Sequence, residues 1–133
     1  MSLVDILSTV EETAYIWDIA SDLIDWECNV LDVLGVATLD EISSGARFKK
    51  LVASEHLNRR NQAIGGQHSA TAKAIPYRIQ YRFLPHGRRR DFAIWLEDHG
   101  SWWADADRQA VRARGAIRGS DERLKEPPQL LIR

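Results

Sequence analysis

The strongest constraint on the fold is a strict alternation of apolar and polar side chains between positions 77 and 83. Every second side chain is aromatic or aliphatic, and the ones between are polar: Tyr77, Ile79, Tyr81 and Phe83 alternate with Arg78, Gln80 and Arg82. A period of two is that of a β-strand with one buried face, because successive side chains point to opposite sides of a sheet. The segment is therefore predicted to turn its aromatic side to a core and its arginine side away.

Two more alternating segments follow this strand along the chain. In the first, Phe92, Ile94 and Leu96 alternate with Ala93, Trp95 and Glu97, and in the second, Val111, Ala113, Gly115 and Ile117 alternate with Arg112, Arg114 and Arg118. Turn-forming residues separate them at 85–87 and 104–107. Strands joined by tight turns pair in antiparallel fashion, so these three segments are predicted to form a meander.

The first half of the chain predicts a hairpin followed by short helices. Residues 14–19 and 23–26 are aromatic and β-branched and flank the turn Ala20-Ser21-Asp22. A short helix over 30–34 is predicted to stop at Gly35, Thr38 and Glu41 form a capping box, and further helical segments fall between 46 and 64. The predicted fold class is α+β, a five-stranded antiparallel sheet of two N-terminal and three C-terminal strands with short helices covering one face.

The length of 133 residues corresponds to one domain. Its first twelve residues are predicted to form an amphipathic helix that serves as a cap or dimer contact, since Leu3, Ile6, Leu7 and Val10 share one face. Residues 13–118 would be the domain proper and 119–133 a tail or the start of a linker. No apolar run approaches the ~20 residues that span a bilayer, and the start lacks the basic residues of a signal peptide, so a cytoplasmic location without membrane contact is expected.

Several short motifs, in order, resemble those of a PAS domain, specifically of the subclass that ends in a PAC motif. The resemblance covers about residues 14–118. Its pieces are Tyr15-Ile16-Trp17-Asp18 with Asp25-Trp26, Leu34-Gly35, Tyr81-Arg82-Phe83, Trp95 to Gly100, and Asp105-Ala106-Asp107 with Val111 and Gly115. The resemblance implies a PAS fold.

The sequence departs from that family pattern in three places. Ala53-Ser54-Glu55-His56 stands where His-Pro-x-Asp is usual, and Arg108 stands where a turn glycine is common. Gly119-Ser120-Asp121 replaces the Asp-Ile-Thr junction that couples such sensors to a connector helix. Either the chain is cut from a longer protein or it lacks the usual output route.

The resemblance implies a non-catalytic sensory module of a bacterial signal-transduction protein. It would sense a small ligand or mediate dimerisation, and pass the signal to an effector in a longer parent chain, of the kinase or cyclic di-GMP (GGDEF or EAL) type. Its ligand pocket would lie between the inner sheet face and the mid-chain helices. The side chains expected to line it are Phe48, Leu51, Tyr77, Ile79, Tyr81 and Phe83.

No resident cofactor, metal or catalytic group is expected from the residues, although an unidentified small ligand stays open. Cys28, the only cysteine, lies outside the setting of the reactive cysteine in flavin-binding relatives and is expected to be a small buried thiol. His56 is the sole candidate for a haem ligand, but its polar neighbours favour a position facing water. Asp18, Asp22, Asp25, Asp105 and Asp107 fall at turns, where aspartate bonds locally.

The outer face of the sheet carries two competing interpretations. Trp95, Trp102 and Trp103 cannot all face inward, so at least one large aromatic should mark an interface there, covered by the N-terminal helix or by a second copy in a homodimer. Arg78, Arg82, Arg112 and Arg114 share that face, and a nucleic-acid-binding surface is the alternative function. Against it, these arginines are expected to pair with Glu97 or with the ten acids of residues 1–46.

Overall fold

The computed structural model describes residues 12–66, 74–85 and 94–120. The elements are β1 (Glu12–Asp18), β2 (Leu23–Trp26), α1 (Val30–Leu34), a 3-10 helix (Leu39–Ile42), α2 (Gly45–Lys49), α3 (Ser54–Ala63), β3 (Ile75–Phe83), β4 (Ile94–Ala104) and β5 (Ala110–Ser120). The helix predicted at the N-terminus, with Leu3, Ile6, Leu7 and Val10, lies outside the described residues. Within the described ranges, no helix has the length and apolar character needed to cross a membrane.

The five strands form one antiparallel sheet in the order β2-β1-β5-β4-β3. β5 pairs with both β1 and β4, so the last strand joins the N-terminal hairpin to the C-terminal meander. The helices of the described residues lie between the two strand groups in the sequence, and their apolar side chains share one core with the inner face of the sheet. The predicted fold class, an antiparallel α+β sheet with short helices, is confirmed.

The alternation in β3 has the predicted orientation. Tyr77, Tyr81 and Phe83 are buried, and Arg78 is exposed on the opposite face. Phe83 stacks on Phe48 of α2, with ring centroids 5.1 Å apart. Burying aromatic side chains of this size contributes a large share of the stability of a small domain.

The helix ends and turns have the local structure that the sequence predicts. Gly35 ends α1 with a φ of 73°, a conformation that glycine adopts without steric cost. The capping box is present, since a carboxylate oxygen of Glu41 accepts a hydrogen bond from the Thr38 amide at 3.1 Å. Arg108 takes the left-handed conformation, φ 64°, in the turn where a glycine is common in the family pattern. The carboxylates of Asp18 and Asp105 accept backbone hydrogen bonds within their own turns, as expected.

β4 is longer than the alternation indicated, and this corrects the position of one tryptophan. The strand continues to Ala104, with Leu96, Asp98, Gly100 and Trp102 on the inner face. A charged residue and a glycine at two of these positions hide the period of two. Trp102 is only 2% exposed, so it belongs to the core and is not part of the outer-face aromatic set in which it was expected.

Candidate functional site in the core

A carboxylate lies at the centre of the inner sheet face. Asp98 of β4 is fully buried, and its two oxygens accept hydrogen bonds from phenols on neighbouring elements. Tyr81 donates to Oδ2 at 2.7 Å, and Tyr15 donates to Oδ1 at 2.9 Å. Burial raises the pKa of Asp98, and it outweighs the opposite effects of Arg60 and of the two phenolic hydrogen bonds.

A third phenol, Tyr77 of β3, joins this network. The hydroxyl groups of Tyr15 and Tyr77 are hydrogen-bonded to each other, between β1 and β3. The two phenols meet over Gly115 of β5, which carries no side chain. A Cβ at Gly115 would lie 2.4 Å from the Tyr77 hydroxyl and 3.0 Å from the Tyr15 hydroxyl. Gly115 therefore makes the space in which the two hydroxyl groups meet, while Gly100, its partner in register on β4, lies close against the β5 backbone.

The phenols stay protonated across the physiological pH range. Burial, followed by the proximity of Asp98, raises the pKa of Tyr15 and of Tyr81 well above the usual value. The same two causes raise the pKa of Tyr77. The three hydroxyl groups therefore act as hydrogen-bond donors to the carboxylate or to one another, and none of them adds negative charge to the core.

A buried arginine faces the carboxylate from the helical side. Arg60 of α3 is 3% exposed, and its guanidinium lies against three aromatic rings. The guanidinium carbon is 4.9 Å from the ring centroid of Phe48, 5.6 Å from that of Trp17 and 5.8 Å from that of Tyr81. We call these three rings the aromatic cage. Distances below about 6 Å are those of cation–π contacts.

Arg60 keeps its positive charge in this environment but does not satisfy all its donors. Burial lowers the pKa of Arg60, but Tyr81, Asp98 and Tyr15 outweigh that effect and leave the pKa above its usual value. Nε of Arg60 is buried and has no hydrogen-bond partner. A buried donor without an acceptor costs about 1–3 kcal/mol, so this guanidinium is an imperfect occupant of its site.

The structure brings most of the predicted pocket residues together. Five of the six are buried: Phe48, Leu51, Tyr77, Tyr81 and Phe83. The sixth, Ile79, is half-buried and packs against the same cluster. That they line a ligand pocket stays a prediction.

Asp98 and Arg60 are functional residues that were not predicted from the sequence. Asp98 shares the inner-face parity of Leu96, and Arg60 is spaced three residues from Leu57 and four from Ile64, both of which contact the core. A charged residue at an apolar position of a periodic segment is rarely buried without a partner. A charged residue at an apolar position in each of the two segments could therefore have predicted that Asp98 and Arg60 lie together in the core.

Two expectations about single residues are wrong. Cys28 is exposed, because the neighbouring Asn29 takes the buried position and bonds Thr13 and the Glu12 carbonyl at 2.8 and 2.7 Å. His56 does not face water: it is half-buried, and its Nδ1 accepts a hydrogen bond from the Arg82 amide at 3.0 Å. Its ring centroid is 5.2 Å from that of Trp95.

The outer sheet face is organised around a carboxylate of its own. Glu97 accepts hydrogen bonds from Arg78 at 2.9 Å and from Arg118 at 3.1 Å, as the sequence predicts for this acid. Arg82 pairs with Glu55 at 3.3 Å. These ion pairs occupy Arg78 and Arg82, two of the four arginines of the alternative nucleic-acid surface.

The two outer-face tryptophans, Trp95 and Trp103, are half-buried. Farther along the face, a shallow cleft of about 360 Å³ surrounds the exposed Ile16 and is bordered by Asp18, Asp25 and Arg112. Among the described residues, no group of three or more His, Cys, Asp or Glu side chains could hold a metal ion.

Solved structures share this fold, although sequence comparison finds no relative. No protein-family model matches the sequence, and no curated protein is similar to it. A sensory box histidine kinase/response regulator from Burkholderia thailandensis is similar with a TM-score of 0.59 and 13% identity, over 95% of this chain and 89% of that one. The N-terminal domain of a diguanylate cyclase with a PAS/PAC sensor from Marinobacter aquaeolei has a TM-score of 0.58 and 13% identity, over 87% and 99%.

A light-oxygen-voltage domain studied with a flavin analogue is also similar, with a TM-score of 0.53 and 17% identity over 93% of this chain and 88% of that one. At sequence identities this low, the similarity concerns the fold and does not extend to the functional site. The three neighbours share one architecture, and it is the architecture that the motifs of the sequence predict.

Proposed function

The chain has the PAS fold, and on this premise we propose that it is a non-catalytic sensory module of a bacterial signal-transduction protein. It senses a small ligand in its core, and it passes the signal to an effector in a longer chain, of the histidine-kinase or cyclic di-GMP type. The kinase and the diguanylate cyclase among the similar structures support this assignment. The proposal places the module in the cytoplasm, as the sequence predicts.

The observation that carries the proposal is the buried network of Asp98, three tyrosines and Arg60. A core filled with apolar side chains of similar volume would be as stable or more stable, because a buried ion pair carries a large desolvation cost. Groups with strongly shifted pKa values, gathered in one interior, are candidates for a functional site. The network also connects β1, β3, β4 and α3, so a change in its occupancy would move helix and sheet relative to each other.

Self-association through the outer sheet face is the second part of the proposal, with a second copy of the chain as the partner. Trp95 and Trp103 were expected to contribute to such an interface. The cleft around Ile16 is bordered by Asp18 of β1, Asp25 of β2 and Arg112 of β5, and Arg114 of β5 lines a second cleft beside Ile16 and Asp25. In a two-fold dimer, the acids of one copy can lie against the arginines of the other.

The core is tested by native mass spectrometry and an absorbance spectrum of the protein as expressed. A bound molecule retained under gentle conditions, lost on denaturation, supports ligand sensing, and the spectrum reports haem or flavin directly. The module proposal fails if the protein carries no ligand, does not self-associate and binds no partner.

The interface is tested by sedimentation equilibrium with two matched substitutions. Ile16→Asp places a charge in the cleft and should shift the protein towards the monomer, because Ile16 is 42% exposed at its centre. Leu39→Asp is the control, since Leu39 is 54% exposed but lies in the 3-10 helix, away from the sheet face. Equal effects of the two substitutions would remove this interface from the proposal.

A further inference from the structure

The walls of the aromatic cage are held in place by contacts that do not involve Arg60. The indole of Trp17 donates a hydrogen bond from Nε1 to Asp22 at 3.0 Å. Phe48 stacks on Phe83 and on Trp26, with centroids 5.1 and 5.7 Å apart. Each ring therefore keeps its orientation if the guanidinium leaves, and a preorganised site of this kind binds a replacement without paying for the ordering of its walls.

The third wall is fixed by the carboxylate. Tyr81 donates its hydroxyl hydrogen to Asp98, and its ring meets Phe48 edge-on at 6.4 Å. Three π faces around one cation position, with a buried carboxylate bonded to one of the rings, are elements with which a protein can recognise quaternary ammonium and methylated cations. The cage attracts cations from its surroundings as well, since Nζ of Lys49 lies 5.7 Å from the Trp17 ring.

The present occupant fits this site poorly in one respect. A guanidinium has five N–H donors, but a cage of three rings offers π faces and few oxygen acceptors, and Nε of Arg60 finds no partner. A cation with fewer or no N–H groups would leave no donor unsatisfied. The π faces and the shortage of oxygen acceptors in the cage therefore favour an alkylated cation over the arginine that fills it.

Arg60 is the only buried residue of α3, and it is the only side chain of that helix that reaches the aromatic cage. The helix is held by other contacts as well: Leu57, Ala63 and the C-cap Ile64 pack against the core, Arg59 donates to the Gln80 carbonyl at 2.6 Å, and His56 accepts from the Arg82 amide. Withdrawal of one side chain would empty the cage and leave these contacts in place. The Arg60 side chain thus fills the aromatic cage from a position that allows a ligand to displace it.

We propose that the core of this domain is a receptor for a small organic cation, a quaternary ammonium or alkylguanidinium group, which takes the place of the Arg60 guanidinium inside the cage of Trp17, Phe48 and Tyr81 with Asp98 as its counter-ion. The inference rests on the proposed sensory function and names its ligand class. Displacement of Arg60 would be the event that moves α3 against the sheet.

The test is chemical rescue of Arg60→Ala. Tetramethylammonium chloride and ethylguanidinium chloride should bind this variant saturably, change its tryptophan fluorescence, and raise its unfolding midpoint by about 4 °C at ten times Kd. Wild type should bind the same cations at least about tenfold more weakly, because Arg60 occupies the cage for most of the time. Arg59→Ala is the matched control: it loses the same charge one residue away, outside the cage, and should behave as wild type.

Three parallel titrations decide the ligand class. Sodium chloride controls for ionic strength, tert-butanol is a neutral molecule of similar shape to tetramethylammonium, and sodium acetate tests binding of an anion to Arg60. Stabilisation of Arg60→Ala by tert-butanol as strong as that by tetramethylammonium overturns the proposal, and so does stabilisation of wild type by acetate alone. If Arg60→Ala does not fold in buffer, Arg60→Met replaces it, because an unbranched apolar side chain fills the same path; a folded Arg60→Met that binds no cation at any concentration below unfolding also overturns it.

The outcome separates this inference from the proposed function. A natively bound ligand that is neutral or anionic would leave the sensory module intact and end the cation assignment. Cation binding by the cage in a protein that carries no ligand, does not self-associate and binds no partner would support the cation assignment and end the sensory-module proposal.

Discussion

Glu97 and Asp98 are adjacent on β4, and both are almost completely removed from solvent, but they point to opposite faces of the sheet. Glu97 is 5% exposed and pairs with Arg78 and Arg118, whose side chains remain 70% and 50% exposed. Asp98 is fully buried and is bonded by phenols, with Arg60 as the nearest positive charge described for the core. The difference lies in the partners: those of Glu97 can return to water when the pair breaks, and those of Asp98 cannot.

The largest expected effect that distinguishes the two carboxylates comes from truncating Asp98. Asp98→Ala leaves the Arg60 charge and two phenolic hydroxyls without an acceptor in the core, so we expect a loss of about 3–5 kcal/mol in the free energy of unfolding. Urea unfolding followed by tryptophan fluorescence measures it. Glu97→Ala is the control and should cost less than about 1 kcal/mol; a similar cost for both would mean that the two faces are equally accessible to water.

A smaller effect is expected from closing the space that Gly115 provides beside the phenols. Gly115→Ala places a methyl group 2.4 Å from the Tyr77 hydroxyl and should cost about 1–3 kcal/mol by overpacking. Adding Tyr77→Phe removes the oxygen that collides, so the double variant should recover part of the loss in a double-mutant cycle. Additive costs would show that the strain arises at the His99 carbonyl, which is 2.7 Å from the same position, and not at the phenol.

The pH dependence of stability gives a third test. The pKa of Asp98 is raised in the folded protein above the ordinary aspartate value of 3.8, chiefly by burial. In the interval from about 3.8 upwards to the folded pKa, the native state binds more protons than the unfolded chain, so stability falls as pH rises. Asp98→Asn should flatten this part of the profile, and Glu97→Gln should not. A wild-type profile that rises through the same interval would contradict the raised pKa.

The smallest effect concerns the outer pair. Glu97→Gln removes a charge whose partners stand largely in solvent, and it should change stability by about 0–1 kcal/mol, with the difference disappearing in 1 M NaCl because salt screens exposed charges. Thermal unfolding at two salt concentrations measures it. A loss that persists at high salt would place Glu97 in the same class as Asp98.

Most of the fold could be predicted from local patterns, whereas the site could not. Three patterns each depend on only a few neighbouring residues, and the structure contains all of them: the period of two in Tyr77–Phe83, the helix end at Gly35 and the capping box of Thr38. Asp98 and Gly100 interrupt the period in β4, so the continuation of that strand to Ala104 and the inward position of Trp102 were missed. Both interruptions have a tertiary reason: Asp98 accepts the phenolic hydrogen bonds of the core, and Gly100 lies close against the β5 backbone.

The sequence alone determined the apolar side of β3, the end of the first helix at Gly35, the start of the 3-10 helix at its capping box, and the antiparallel pairing of the strands, because these properties depend on neighbours a few residues away. Only the tertiary structure decided that Arg60 and Asp98 share one interior. They lie on different elements and are separated by the whole of β3, and a charge becomes a buried charge only when distant parts of the chain exclude water from it. The same holds for the aromatic cage, whose rings come from β1, α2 and β3 and enclose a cation only in the folded domain.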